Sequence, residues 1–106
     1  MKSEKVMIVP VVTIKLPAAF HALTGGRRQI DVEGNTIREV IVALDHACPG
    51  FIDRLMDREG SVKRYVNIYR NDHDIRDLEG LETEAKNQDI VWIVPAVAGG
   101  SGMEQV

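Results

Sequence analysis

One stretch of this chain carries a long helical period, and it restricts the possible folds more than any other feature. In "NTIREVIVALDHACPG", residues 35–50, the apolar side chains Ile37, Val40, Ile41, Leu44 and Cys48 recur at the spacing of a single helix face. Thr36 and Glu39 stand three apart as a capping box, in which hydroxyl and carboxylate satisfy N–H groups that the first turn leaves unpaired. Pro49-Gly50 then ends the helix. A single amphipathic helix has one stripe to bury, and the other apolar runs of the chain read mostly as strands. One helix laid across one sheet is the arrangement this allows.

The strands follow from period-two patterning. Between Val6 and Leu16 the residues are mostly β-branched, and Val12, Ile14 and Leu16 alternate with Thr13 and Lys15. Pro10 has no N–H for a ladder, so regular pairing is expected to start after it. A loop, "PAAFHALTGG", precedes "RRQIDV", where Ile30 and Val32 share a face and complete a hairpin. After the helix, "GFIDRLMDREG" spaces Phe51, Leu55 and Met56 for a short helical segment ended by Gly60. "VKRYVNIYR" sets Val62, Val66 and Ile68 against Tyr65 and Tyr69 on an outer face, and "NDHD" turns into a further strand, "IRDL". "IVWIVP", residues 90–95, is apolar on both faces and reads as a central strand with the helix over one side. The order is strand, strand, helix, strand, strand, strand, an α+β roll in a chain of 106 residues, the size of one domain.

Several chemistries fail on this sequence. With net charge −3 and no basic run beyond doublets such as Arg27-Arg28, a nucleic-acid partner is not expected. No apolar run approaches the ~20 residues of a membrane span, so a membrane location is not expected either. Cys48 is the only cysteine and lies on the apolar stripe, which suits a buried small hydrophobe better than a nucleophile. Without a leader-like segment or a possible internal disulfide, the expected location is cytoplasmic. "TGGRR" lacks the glycine spacing and the Lys-Ser/Thr of a phosphate loop. The group Asp72, His73, Asp74 and Asp77 has Arg76 where a calcium loop needs an oxygen ligand, so turn chemistry explains it and no metal is expected. His46 falls on the polar side of the helix, and His21 belongs to no triad or zinc pattern. No catalytic residue is expected.

What remains is the end of the chain. Pro95 stops pairing, and Ala96, Val97, Ala98, Gly99 and Gly100 offer little side-chain surface with which to dock on a core. Extended, the stretch from Pro95 to Gly100 spans ~20 Å, enough to enter a partner's active site while the folded body stays outside. Glycine lets the backbone pass through a narrow channel and approach a ligand closely.

The order of elements together with "VPAVAGG", residues 94–100, resembles the MoaD/ThiS family of ubiquitin-like sulfur carriers, over roughly Val12 to Gly100. "YVNIYRNDHDIR", residues 65–76, followed by that tail is similar, more narrowly, to the CysO-type carriers of cysteine biosynthesis. The resemblance implies a ubiquitin-like β-grasp domain over residues 1–94, with a mixed sheet of about five strands and one main helix. It implies a flexible carrier tail over 95–100 and an extension, 101–106, removed by proteolysis. Gly100 would be adenylated by an E1/MoeB/ThiF-like enzyme using ATP and magnesium, then converted to a thiocarboxylate that donates sulfur. Pro95, Ala96, Val97, Ala98 and Gly99 would be read by the partners' channels. Since Gly100 is bonded to Ser101, hydrolysis between them by a JAMM-type zinc metallopeptidase would come first. The chain would bind no cofactor itself and would serve as a protein cosubstrate rather than an enzyme. A sulfur-acceptor enzyme, such as a cysteine synthase-like one, would consume the product, with molybdopterin, thiamin thiazole or another sulfur metabolite as rival sinks.

Two other classes stay open at this level. An activated Gly100 attacked by a lysine amine would make the chain a ubiquitin-like modifier, and a tail never activated would leave a binding module presenting Tyr65 and Tyr69. The outward faces of the last three strands are the expected docking surface, and no heptad or apolar surface stripe calls for a stable oligomer, so a monomer is expected.

Overall fold

The computed structural model describes residues 9–95. Pairing starts directly after Pro10: β1, Val11–Lys15, buries Val12 and Ile14 completely and turns Thr13 and Lys15 outward. β2, Gln29–Glu33, runs antiparallel to it with Ile14 opposite Ile30 and Val12 opposite Val32, so the alternation of both strands points to the same layer.

The main helix, α2, runs Ile37–Ala47 and buries the stripe Ile37, Val40, Ile41 and Leu44. Its N-terminus is closed by the expected box, shifted by one residue on its return side. The Glu39 N–H donates to the Thr36 hydroxyl at 3.2 Å, while the Glu39 carboxylate accepts from the Asn35 N–H at 2.8 Å. Gly34 lies so close beneath that a Cβ there would stand 2.8 Å from the Val40 backbone nitrogen. Cys48 caps the helix and is buried, with the Arg27 guanidinium donating to its Sγ at 3.4 Å.

A short helix, α3, Phe51–Leu55, follows and ends at Met56 rather than at Gly60. Met56 instead bridges to Val62, and Gly60, at φ 85°, belongs to the turn between them. Asp45 in the last turn of α2 starts α3 by accepting from the backbone N–H of Ile52 at 3.0 Å and of Gly50 at 3.1 Å. These bonds, the Ile52 one first, outweigh partial desolvation and hold the carboxyl below its ordinary value of 3.8. A depressed carboxyl contributes stability that is present above the unfolded pKa and is lost as pH falls through the folded one. Asp45→Ala is expected to cost ~1 kcal/mol at neutral pH. Urea denaturation will show the gap to the parent narrowing below about pH 4; a gap independent of pH would remove the charged cap from the explanation.

β3 is Val66–Arg70, β4 the two residues His73–Asp74, and β5 Ile90–Pro95. The sheet order is β2-β1-β5-β3-β4, with β1 and β5 parallel and every other pair antiparallel. β5 is central, as its apolar run implies, but only Val91 and Ile93 are covered by the helical layer, and Trp92 on the opposite face is 43% exposed. Val12, Ile14, Leu44, Phe51, Ile68 and Ile93 are among the residues of the one core between sheet and helices.

Two expected elements differ. "IRDL" is not a strand: Asp74 accepts from the Arg76 N–H at 2.8 Å and starts a 3-10 turn over Ile75–Asp77, which buries Ile75. The pairing strand is reduced to His73–Asp74 just before it. The loop after Pro17 holds a 3-10 turn at Ala18–Phe20 and a one-turn helix, α1, His21–Thr24, capped by Gly25 at φ 68°. Phe20 drives that folding by packing on Phe51, ring centroids 5.7 Å apart. No helix among the described residues is long and apolar enough to cross a membrane.

Candidate functional site

The described part of the central strand runs to Pro95, which lies opposite Val66 of β3. Counted from the Asn71 N–H to Ile90 carbonyl bond at 2.7 Å, this position falls between the ladder bonds of the pair, so the missing proline N–H breaks none of them. On the other side β1 has already ended, its Lys15 opposite Trp92. Pro95 thus stands on the central strand with β3 on one side and no residue of β1 opposite it on the other. Pro95 is the one expected channel residue that the structure describes. Ala96, Val97, Ala98, Gly99, Gly100 and the Gly100–Ser101 cleavage position lie outside the described residues.

Beside Pro95 the open face of the sheet is apolar with a cationic margin. Trp92 and Val94, with Pro17, line a depression of about 490 Å3 that Lys15 and Arg28 border. The Lys15 ammonium stands 5.4 Å from the Trp92 ring centroid, within cation–π range. Tyr69 is the cross-strand neighbour of Trp92 on the other side, and Tyr65, just before β3, is 60% exposed. The expected face of the last strands thus gains β1 as a contributor: Lys15 reaches Trp92 because β1 pairs in parallel with β5, a register between segments some 75 positions apart in sequence. Its only warning in the sequence was an outward-pointing lysine on an alternating strand.

The groups set aside on sequence grounds have local duties. Asn71, at φ 54°, turns β3 into β4, donates from its side chain to Asp89 at 3.0 Å and accepts from the Ile90 N–H at 3.0 Å, which fixes the start of β5. Asp74 caps the 3-10 turn. His21 places Nε2 3.2 Å from the Leu16 carbonyl oxygen. Among the described residues no three His, Cys, Asp or Glu side chains converge as metal ligands would.

A sequence model of the ThiS family matches residues 14–100, most of the chain. The chain belongs to the ThiS family. Its family match runs from β1 through β5 and stops at Gly100. Within the family it groups with the CysO type. It is 42% identical over 91 residues to the sulfur carrier protein CysO of Mycobacterium tuberculosis, covering 84% of this chain and 98% of that one. A putative sulfur carrier protein of Archaeoglobus fulgidus is 34% identical over 89 residues, with 84% and 98% coverage. The fold agrees with CysO of Amycolatopsis orientalis, solved in complex with BexX, at a TM-score of 0.79 and 38% identity over 84% of this chain and 99% of that one. The ubiquitin-like β-grasp expected for this ThiS-family chain is therefore its fold, a mixed sheet of five strands with helices across one side.

Proposed function

We propose that this chain is a sulfur carrier of the CysO/ThiS type and a protein cosubstrate, whose Gly100 is the atom-bearing end. The observation that carries this reading is that the ThiS-family match, which takes in the central strand β5, ends at the glycine pair, at Gly100. Ala96, Val97, Ala98, Gly99 and Gly100 carry little side-chain surface, and the glycines suit a partner's channel.

The chemistry needs a free carboxylate at Gly100. Hydrolysis of the Gly100–Ser101 peptide bond supplies it, with water split between the new carboxyl and the amine of Ser101; a JAMM-type zinc metallopeptidase is the kind of enzyme that activates such a water. A Gly100 carboxylate oxygen then attacks the α-phosphorus of ATP in an E1/MoeB/ThiF-like partner with magnesium, releasing pyrophosphate. The carboxylate is a poor electrophile because its charge is shared between two oxygens. The acyl-adenylate carries a good leaving group, so a sulfur nucleophile at the sulfide level adds to the carbonyl carbon and expels AMP. The thiocarboxylate formed attacks an electrophilic acceptor in a biosynthetic enzyme. Cysteine is the favoured product, on the likeness to CysO. The folded body supplies none of these reacting groups: its share is to hold Pro95 at a fixed place beside the Trp92, Val94 and Lys15 face, against which the partner enzyme seats.

Intact mass spectrometry of the untagged protein from its native cells tests this. The expected species ends at Gly100 and is heavier than that carboxylate form by the difference between sulfur and oxygen. Full-length mass during active sulfur assimilation would leave a binding module, and lysine-linked adducts through Gly100 would make it a modifier instead.

A further inference from the structure

The open face of the sheet is charged unevenly along its strands. Burial alternates on β2, so Gln29, Asp31 and Glu33 turn outward there, and they lie opposite Lys15, Thr13 and Val11 of β1 in that order. Asp31 and Glu33 therefore stand toward the end of the sheet remote from Pro95, whereas Lys15, opposite Trp92, stands near it. Arg28 lies nearer still, because its carbonyl accepts from the Leu16 N–H at 2.9 Å and is held one step beyond Lys15. In a chain whose net charge is −3, the part of this face closest to the tail is cationic.

The two cations are not neutralised on this face. The depression they border is otherwise lined by Leu16, Pro17, Gln29, Trp92 and Val94, none of them acidic. Among the described residues no carboxylate lies within ion-pair distance of Lys15 or Arg28. The first carboxylate along β2, that of Asp31, is taken up by the Thr13 hydroxyl, which donates to it at 2.7 Å. The Lys15 ammonium stands over the Trp92 ring instead. It carries three donors, and a ring face occupies only one side of it.

An apolar floor with two such cations on its margin is complementary to an apolar side chain that has carboxylates beside it. The gradient adds direction. An acidic surface drawn to Lys15 and Arg28 is repelled by Asp31 and Glu33, so it settles at the Pro95 end, the end to which residues 96–100 are attached. Resting on the carrier reading, we propose that Lys15 and Arg28 choose the partner: the adenylating enzyme presents to this face an apolar side chain flanked by carboxylates. The apolar group fills the depression at Trp92 and Val94, and the carboxylates pair with the two cations. The charge pattern speeds the encounter and fixes its orientation, with the tail toward the acidic side of the enzyme.

Pyrophosphate release from the chain ending at Gly100 with its E1-like partner, followed against chain concentration and salt, tests it. Lys15→Gln combined with Arg28→Gln is expected to raise KM about fivefold at low salt with kcat unchanged, since two exposed pairs are lost and Gly100 is untouched. Raising salt to about 0.5 M should bring the KM of the parent toward that of the variant. Lys15→Arg combined with Arg28→Lys, which keeps both charges, should restore the parental KM, and Glu33→Gln at the remote end should leave it within about twofold. A KM that ignores salt, as a purely apolar partner surface would give, a double variant indistinguishable from its parent, or a loss confined to kcat would overturn the proposal while the carrier reading stood. No release from any form, the parent included, would remove the carrier reading and this inference with it.

Discussion

A chain cut back to end at Gly100 will be adenylated by an E1-like partner, and the chain that runs on to Val106 will not. In the longer chain the Gly100 carbonyl is an amide, with no anionic oxygen to attack the phosphorus of ATP, so the difference is all or none rather than graded. Pyrophosphate release measured side by side on the two forms checks it, and comparable release from both would sink the assignment of Gly100. A second comparison separates the end group from the channel. Gly99→Val, placed in the shortened chain, keeps the carboxylate but adds branched bulk next to it, where the tail is proposed to thread. Displacing a reacting group by about an ångström costs on the order of a hundredfold in rate. That loss is expected with an unchanged melting temperature, because the tail is proposed to thread into the partner rather than to pack on the domain. A Gly99 variant as active as its parent would mean that the partner does not enclose the tail.

Much of this architecture was legible because its signals are local. The stripe Ile37, Val40, Ile41 and Leu44 and the Thr36–Glu39 box describe α2 within a few residues of sequence, and the structure keeps both. The unbroken apolar run of β5 implied a central strand, and it is one. The misplaced strand at "IRDL" has a local cause too: Asp74 offers its carboxylate to the next N–H groups, and Ile75 and Leu78, three apart, suit a tight turn better than a pleat. What stayed hidden is non-local. Lys15 meets Trp92 through a parallel register that no neighbouring residue announces. The charge gradient of the open face depends on the register of β1 with β2 and β5, whereas Lys15, Arg28, Asp31 and Glu33 each read alone as solvated charge. The tail is the reverse case: Ala96 to Gly100 were singled out by sequence alone and lie outside the described residues, so the structure contributes only the strand that leads to them.

Phe51→Ala will unfold a large part of the population under conditions where the parent is fully folded. Phe51 is completely buried at the first position of α3, and its ring is the partner of Phe20, centroids 5.7 Å apart. Truncation removes that contact and leaves a void between the helical layer and the loop carrying α1, at a cost of about 3–5 kcal/mol, a large share of the 5–15 kcal/mol typical of a whole domain. Phe51→Leu, which keeps most of the volume, is expected to cost less than about 1.5 kcal/mol. Denaturant midpoints with unchanged slopes will measure both. Near-equal effects of the two variants would mean that the loop collapses onto the gap and that Phe20 does not depend on its partner. Since this damage lies in the helical layer, away from the strand end at Pro95, the fraction that stays folded should still be adenylated at the parental rate per folded molecule when the chain ends at Gly100. A lower rate per folded molecule would show that the helical layer helps to hold β5 and Pro95 in place for the partner.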